Sequence, residues 1–257
     1  MPSSPKLSLV LTINNRTPEV CAKVAASFRL PGNMPDEVVV VLDRPTTAVA
    51  DGARAAYSDF PNAKFVEIAG EPNWRGPAKA WNTGFRVATG DLLYVISSEV
   101  VQDAGNVDKA RDLCRVLDTV AFGACHNSVP TNLVVGAEPG VLVSSAMPRP
   151  LGFIACMPAR TVTAIRGFDE AFMAGFWYDD DDFFLRMWNR GLDFLFTDAI
   201  HGVHLDHDRP GLATPEGQAG IHRNAATMLN KHGTTSPWQT LPRINAFGPT
   251  SLRWLHV

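Results

Sequence analysis

The chain has 257 residues, 46% of them hydrophobic and 19% charged, enough apolar material for a full globular core. A net charge of −3 leaves no overall electrostatic footprint for nucleic acid or an anionic membrane. Cys21, Cys114, Cys125 and Cys156 are scattered without a C-x-x-C pair, and neither an 18-residue apolar run nor a signal-peptide profile is present, so a reduced, cytoplasmic protein without an integral membrane segment is expected.

Residues 7–12 (LSLVLT) are a continuous apolar run, as in a strand buried on both faces. Thr17 is placed to cap the next helix with Pro18 at its first position, and Val20, Val24 and Phe28 mark the buried side. Gly32-Asn33 breaks the chain before a second buried strand, 37–42, which ends at Asp43-Arg44-Pro45. An Ala-rich helix over 47–57 and a third strand over 63–68 follow. This alternation is a doubly wound, Rossmann-like half, whose ligands lie at the carboxyl ends of the strands. That rule singles out Thr12, Asn14 and Asp43 on position alone. No G-x-G-x-x-G or Walker sequence occurs, so neither a dinucleotide fingerprint nor a P-loop is implied.

Residues 73–91 are punctuated by Gly76, Gly84 and Gly90, with the cations Arg75 and Lys79 on either side of Gly76. The buried strand 92–96 runs into Ser97-Ser98-Glu99, which offers one hard oxygen ligand. A helix is expected over 108–117 and a strand over 119–124. Residues 126–150 have little periodicity and many Gly, Pro and Ser, as in an acceptor or lid loop. A strand over 151–157 and a helix over 159–166 lead to the most unusual stretch of the chain.

There, Asp179-Asp180-Asp181-Asp182 abut Phe183-Phe184-Leu185-Arg186-Met187-Trp188. Phe183 with Met187 and Phe184 with Trp188 are i,i+4 pairs, the buried face of a short helix that Gly191 is placed to end. The acids occupy the helix N-terminal turn, where the dipole favours anions, with Asp179 a candidate N-cap. Successive residues fan out by roughly 100°, so Asp182 reaches Arg186 while Asp180 points elsewhere. Adjacent carboxylates ~6 Å apart repel by about 3 kcal/mol at an effective dielectric of 20, a cost that suggests a managed cation, substrate or proton. Beyond Gly191, two short strands are expected over 192–197 and 199–205, carrying His201 and His204 toward His207. His201 and His204 then fall on opposite strand faces, so the three imidazoles cannot chelate together. A helix over 216–231 and a polar, Pro-containing tail over 237–257 complete the chain.

Gly167-Phe168-Asp169-Glu170, followed by Asp179, Asp180, Asp182, Phe183, Arg186 and Gly191, resembles the second signature of glycosyltransferases with the GT-A fold. The likeness is to the inverting family-2 type with a galactosyltransferase-like C-terminal motif. Gly76, Ala80, Asn82, Gly84, Ala88, Gly90 and Asp91 are similar to the same family's donor-side helix. The resemblance covers about 5–210 and implies an α/β, GT-A fold with a Rossmann-like, mostly parallel sheet flanked by helices. It implies a single domain, with a nucleotide-sugar half over about 1–100 and an acceptor and catalytic half over about 101–257. The implied reaction moves a sugar, with inversion, from a nucleotide-diphosphate-sugar donor to a hydroxyl of a glycan, lipid, protein or modified nucleic acid.

By the same resemblance Asp180 is the catalytic base, supported by Asp179, Asp182 and Arg186. Thr12, Asn14, Asp43, Arg75, Lys79, Asn82 and Ser97 would bind the donor, and Phe176, Trp177 and Tyr178 would floor the acceptor sugar. Glu99 with His204 or His207 would hold a divalent ion, Mn²⁺ or Mg²⁺. The chain departs from the family at this point, since Ser97-Ser98-Glu99 keeps one acid where an Asp-x-Asp is expected. The rival readings are a catalytically silent GT-A-fold binding module and a nucleotidyltransferase, and the latter lacks a Gly-rich loop after the first strand.

Overall fold

A computed structural model describes residues 4–69, 76–115, 118–129, 140–207 and 211–240. Its centre is a nine-stranded sheet, begun by β1 (Leu7–Ile13), β2 (Glu37–Asp43), β3 (Lys64–Ile68) and β4 (Leu92–Ile96), all parallel in the order β3-β2-β1-β4. β1 and β2 are apolar on both faces because both faces are covered. Leu7, Leu9, Leu11, Val38, Val40 and Leu42 pack under α1 (Pro18–Phe28) and α2 (Thr47–Tyr57). The alternate residues Val10, Val39 and Val41 pack under Ala80 and Trp81 of α3 (Ala78–Val87). The Thr17 hydroxyl accepts from Val20 N at 3.4 Å, with Pro18 inside the helix start, as the sequence predicts.

The sheet continues with β5 (Val100–Gln102), β6 (Thr119–Asn127), β7 (Val141–Val143), β8 (Ile154–Pro158) and β9 (Asp193–His204). β8 is antiparallel to both β4 and β6, so β6 runs the same way as β4, and β9 runs parallel to β6. The carboxyl ends of β1, β2, β4, β6 and β9 therefore meet at one edge, together with the start of β8. No described helix is long and apolar enough to cross a membrane.

Several expectations are corrected here. The two strands expected over 192–197 and 199–205 are one strand: Gly123 pairs with Thr197 and Ala124 with His201, so β9 bulges outward between them and continues. That bend lets the end of β9 pair with β5, Val100 opposite His204. The helix expected over 108–117 is α4 (Asn106–Leu113), entered through Gly105 at φ +80° and so begun earlier. The stretch 126–150 is not a loop throughout, because β6 extends to Asn127 and β7 pairs with it; residues 130–139 lie outside the described set. β8 starts three residues later than expected, after a turn at Gly152-Phe153. Helices α5 (Ala159–Ala164), α6 (Asp179–Trp188), α7 (Pro215–His232) and the short α8 (Pro237–Thr240) complete the described chain.

A second core, mostly aromatic, anchors α6 to the sheet. Phe183 stacks on Phe168 with ring centroids 4.0 Å apart and planes within 4°. Phe184 packs edge-on against Phe122 at 4.8 Å. Phe183, Phe184 and Met187 are fully buried, so the aspartates in the turn ahead of them are held by the core rather than by solvent.

Candidate active site

Two chain segments meet at the carboxyl edge to form a cluster of three metal-ligating groups. Glu99 lies in the turn between β4 and β5, His204 ends β9, and His207 follows in the next loop. One ligand atom from each lies within 4.8 Å of the others. The Nε2 atoms of His204 and His207 stand 3.2 and 3.3 Å from Glu99 Oε1. His201, on the other face of β9, instead pairs with His126 at 3.0 Å and Asp103 at 2.8 Å, as strand alternation predicts. Burial alone would raise the Glu99 carboxyl, but hydrogen bonds to His204 and His207 and the charge of Arg16 hold it well below the usual range. Two imidazoles and one carboxylate suit Mn²⁺ better than Mg²⁺, which favours an all-oxygen shell.

Beside this cluster, the Gly152-Phe153 turn links it to the acidic helix. The Phe153 ring meets His204 edge-on at 5.4 Å, and Gly152 N donates to Asp180 Oδ2 at 3.1 Å. The four aspartates diverge as helical geometry requires. Asp182, wholly buried, takes Arg186 at 2.8 Å, His232 at 2.8 Å and Lys231 at 2.6 Å, tying α6 to the end of α7. Asp181 accepts from Trp238 Nε1 at 2.6 Å and has Arg149 3.9 Å away. Asp179 is the first helical residue and not the N-cap; Tyr178 holds that place without a side-chain cap bond. Burial, then the negative charge of Asp179, pushes the Asp180 carboxyl upward, and burial likewise raises Asp179. Asp180 is thus a stronger base than an ordinary carboxylate.

The turn before α6 is strained. Trp177 and Tyr178 adopt φ +65° and +69°, a region that costs on the order of 1–3 kcal/mol for each non-glycine residue. Asn224 of α7, 1% exposed, holds it by donating to Phe172 O, Phe176 O and Trp177 O at 2.9, 3.2 and 3.0 Å. The result is an outward Trp177, 57% exposed, with Phe176 and Tyr178 half-buried beside it.

Of the expected donor residues, Thr12, Asn14, Asp43 and Ser97 all come to the same edge. Asp43 is buried and its carboxylate is already engaged, by Arg44 at 2.8 Å and by Asn14 Nδ2 at 3.3 Å. Asn82 is spent elsewhere: it donates to Phe168 O and Glu170 Oε1, both at 3.0 Å, and accepts from Phe168 N at 2.8 Å. It therefore latches α3 to the Gly167–Glu170 turn, where Gly167 has φ +69° and a Cβ would overlap Asn82 Oδ1. Lys79 is half-buried in the first turn of α3, and Arg75 lies outside the described residues. Sequence reasoning missed Arg16, whose Nε lies 3.0 Å from Glu99 Oε2. The strand-end rule that selected Asn14 reaches it two residues later. Asn224 and Trp238 carried no local signal.

No protein-family model matches the chain, and no curated protein sequence matches it. Solved structures do. The mannosyltransferase PcManGT from Pyrobaculum calidifontis, in complex with GDP-Man and Mn²⁺, aligns over 95% of this chain and 70% of its own, at 16% identity and TM-score 0.64. GalNAc-T7 with UDP, GalNAc and Mn²⁺ aligns over 95% of this chain and 52% of its own, at 11% identity and TM-score 0.64. S. aureus TarS 1-349 aligns over 79% of this chain and 58% of its own, at 16% identity and TM-score 0.54. The chain thus spans little more than half of the latter two. At these identities the likeness defines the architecture: an α/β GT-A fold, the fold of these glycosyltransferases.

Proposed function

We propose that the protein transfers a sugar from a nucleotide-diphosphate-sugar donor to an acceptor hydroxyl, with inversion. The observation that carries this reading is the convergence, at one sheet edge of a GT-A fold, of the Glu99–His204–His207 cluster and a base-strengthened Asp180, joined through Gly152-Phe153. The donor half is assigned to about 1–100, with the base and ribose near Thr12, Asn14 and Asp43. The acceptor half is assigned to about 101–257.

Glu99, His204 and His207 would hold a divalent ion, which when bound neutralises charge on the leaving diphosphate. Asp180 takes the acceptor's proton; its raised pKa brings it toward the operating pH, where a general base is most effective. Gly152 N fixes one carboxylate oxygen of Asp180 and leaves the other for the acceptor. Asp182 keeps the helix start in place through Arg186, Lys231 and His232. Trp177 offers an exposed aromatic face on which an acceptor sugar ring can lie. What PcManGT and GalNAc-T7 are named as binding, GDP-Man and UDP with GalNAc, supports the donor class.

A thermal-shift panel of GDP- and UDP-sugars, each with and without Mn²⁺, tests the reading. A melting rise for at least one nucleotide, larger with Mn²⁺, is expected. A flat response to every nucleotide under both conditions would overturn it.

A further inference from the structure

Glu99 does not offer its two oxygens alike. Oε1 faces the imidazoles of His204 and His207, whereas Oε2 takes Arg16 Nε and the Ser98 hydroxyl, each at 3.0 Å. Arg16 stands there because β1 and β4 run side by side, Val10 opposite Val95, and Asn15 at φ +52° then turns the chain over the strand end. Its side chain is only 19% exposed. The ion pair uses Nε, and among the described residues neither terminal nitrogen makes a hydrogen bond, which leaves most donors of the planar fork beside the metal-ligating cluster.

Charge at this cluster is balanced before any cation arrives. In the form that can ligate, both imidazoles are neutral, and the single carboxylate is offset by the guanidinium. An entering divalent ion meets Arg16 a few ångströms away and is repelled by it. The buried Nδ1 of His204 has no partner among the described residues, so no carboxylate stiffens that ring as a ligand. A diphosphate would reverse the balance, because its oxygens could serve both a divalent ion held by Glu99, His204 and His207 and the remaining Arg16 donors.

We propose that Arg16 is a diphosphate-binding residue that makes occupation of the Glu99–His204–His207 site conditional on the diphosphate. The bare ion is held weakly, and the diphosphate-bearing ligand brings the ion in with it. This rests on the transferase reading and adds to it an order of binding and a residue that enforces it.

Equilibrium dialysis of Mn²⁺ against the wild-type, Arg16→Gln and Arg16→Lys proteins tests the proposal, alone and with inorganic pyrophosphate, GDP or UDP, each variant's fold being checked by melting. In the wild type, the ligand should tighten protein-bound Mn²⁺ by at least ~10-fold, the scale of a single close charge contact. Arg16→Gln should bind Mn²⁺ alone more tightly than wild type and lose most of that gain. Arg16→Lys, which keeps the charge but not the fork, should fall between. The proposal is overturned if Arg16→Gln keeps the wild-type gain, or if it binds Mn²⁺ alone no more tightly than wild type. Either result with nucleotide still bound removes only the role of Arg16; a wild type that binds neither pyrophosphate nor GDP nor UDP removes the transferase reading as well.

Discussion

Replacing Asp180 by asparagine should impair catalysis while making the folded protein more stable, a pair of opposite effects that only a functional carboxylate would show. The amide keeps the shape of the side chain and can still accept from Gly152 N, now 3.1 Å from Asp180 Oδ2. What disappears is a half-buried negative charge beside Asp179. Two carboxylates ~6 Å apart at an effective dielectric of 20 repel by about 3 kcal/mol, and partial exposure reduces this to about 1–2 kcal/mol. For a chain of this size that corresponds to a Tm rise of about 2–8 °C. The sign follows from linkage. The folded-state pKa of Asp180 is raised above its unfolded value, so its contribution to stability is fully present below the unfolded pKa and is lost as pH rises through the folded pKa. The Tm gain of Asp180→Asn should therefore be small near pH ~4 and grow toward and past neutrality. In steady-state assays, kcat should fall by about 10²–10⁴ with donor KM nearly unchanged, because the amide cannot take a proton. A variant that is less stable at neutral pH, or that retains near-normal kcat, would refute the assignment. Loss of activity in Asp179→Asn or Asp181→Asn, with Asp180→Asn active, would move the base along the helix.

Asp182→Asn should act oppositely, destabilising the protein by about 3–5 kcal/mol in denaturant unfolding, because Arg186, Lys231 and His232 would be left around a neutral group; a loss below about 1 kcal/mol would show that the network is not holding the helix start. Asp43→Ala should weaken nucleoside diphosphate binding by about 1–3 kcal/mol in calorimetry. Unchanged affinity in the folded variant would remove Asp43 from the donor site. Gly175→Ala should lower Tm and acceptor affinity together, since a Cβ there would overlap Gly220 O and the Asn224 side chain that fixes the Trp177–Tyr178 turn; a crystal structure showing that turn unmoved would contradict this.

The N-terminal strands and helices were legible because their signals are local. Unbroken apolar runs mark β1, β2 and β4, and Thr17-Pro18 starts α1 in the expected place. The acidic helix was legible for the same reason, since an i,i+4 spacing suffices to pair Asp182 with Arg186. What sequence could not show depends on distant partners. β5 has only three residues and exists because the bulge in β9 brings His204 opposite Val100. That same bulge reads as a gap between two strands when no partner is known. Arg16 reaches Glu99 only through the left-handed turn at Asn15, and Trp238 meets Asp181 from 57 residues away. Asn82 fits the family's motif, yet its amide is committed to Phe168 and Glu170, a use that spacing alone does not reveal.

The central claim is that the Glu99–His204–His207 edge and Asp180 act on one nucleotide-diphosphate sugar. Release of nucleoside diphosphate from a panel of GDP- and UDP-sugars, followed with Mn²⁺, with excess chelator, and in Glu99→Ala and Asp180→Asn proteins, tests it most directly. The account predicts release from at least one donor in the wild type with Mn²⁺, near-complete loss with chelator or in Glu99→Ala, and in Asp180→Asn slower release with donor binding retained. Full turnover in excess chelator, or in Glu99→Ala, would contradict it.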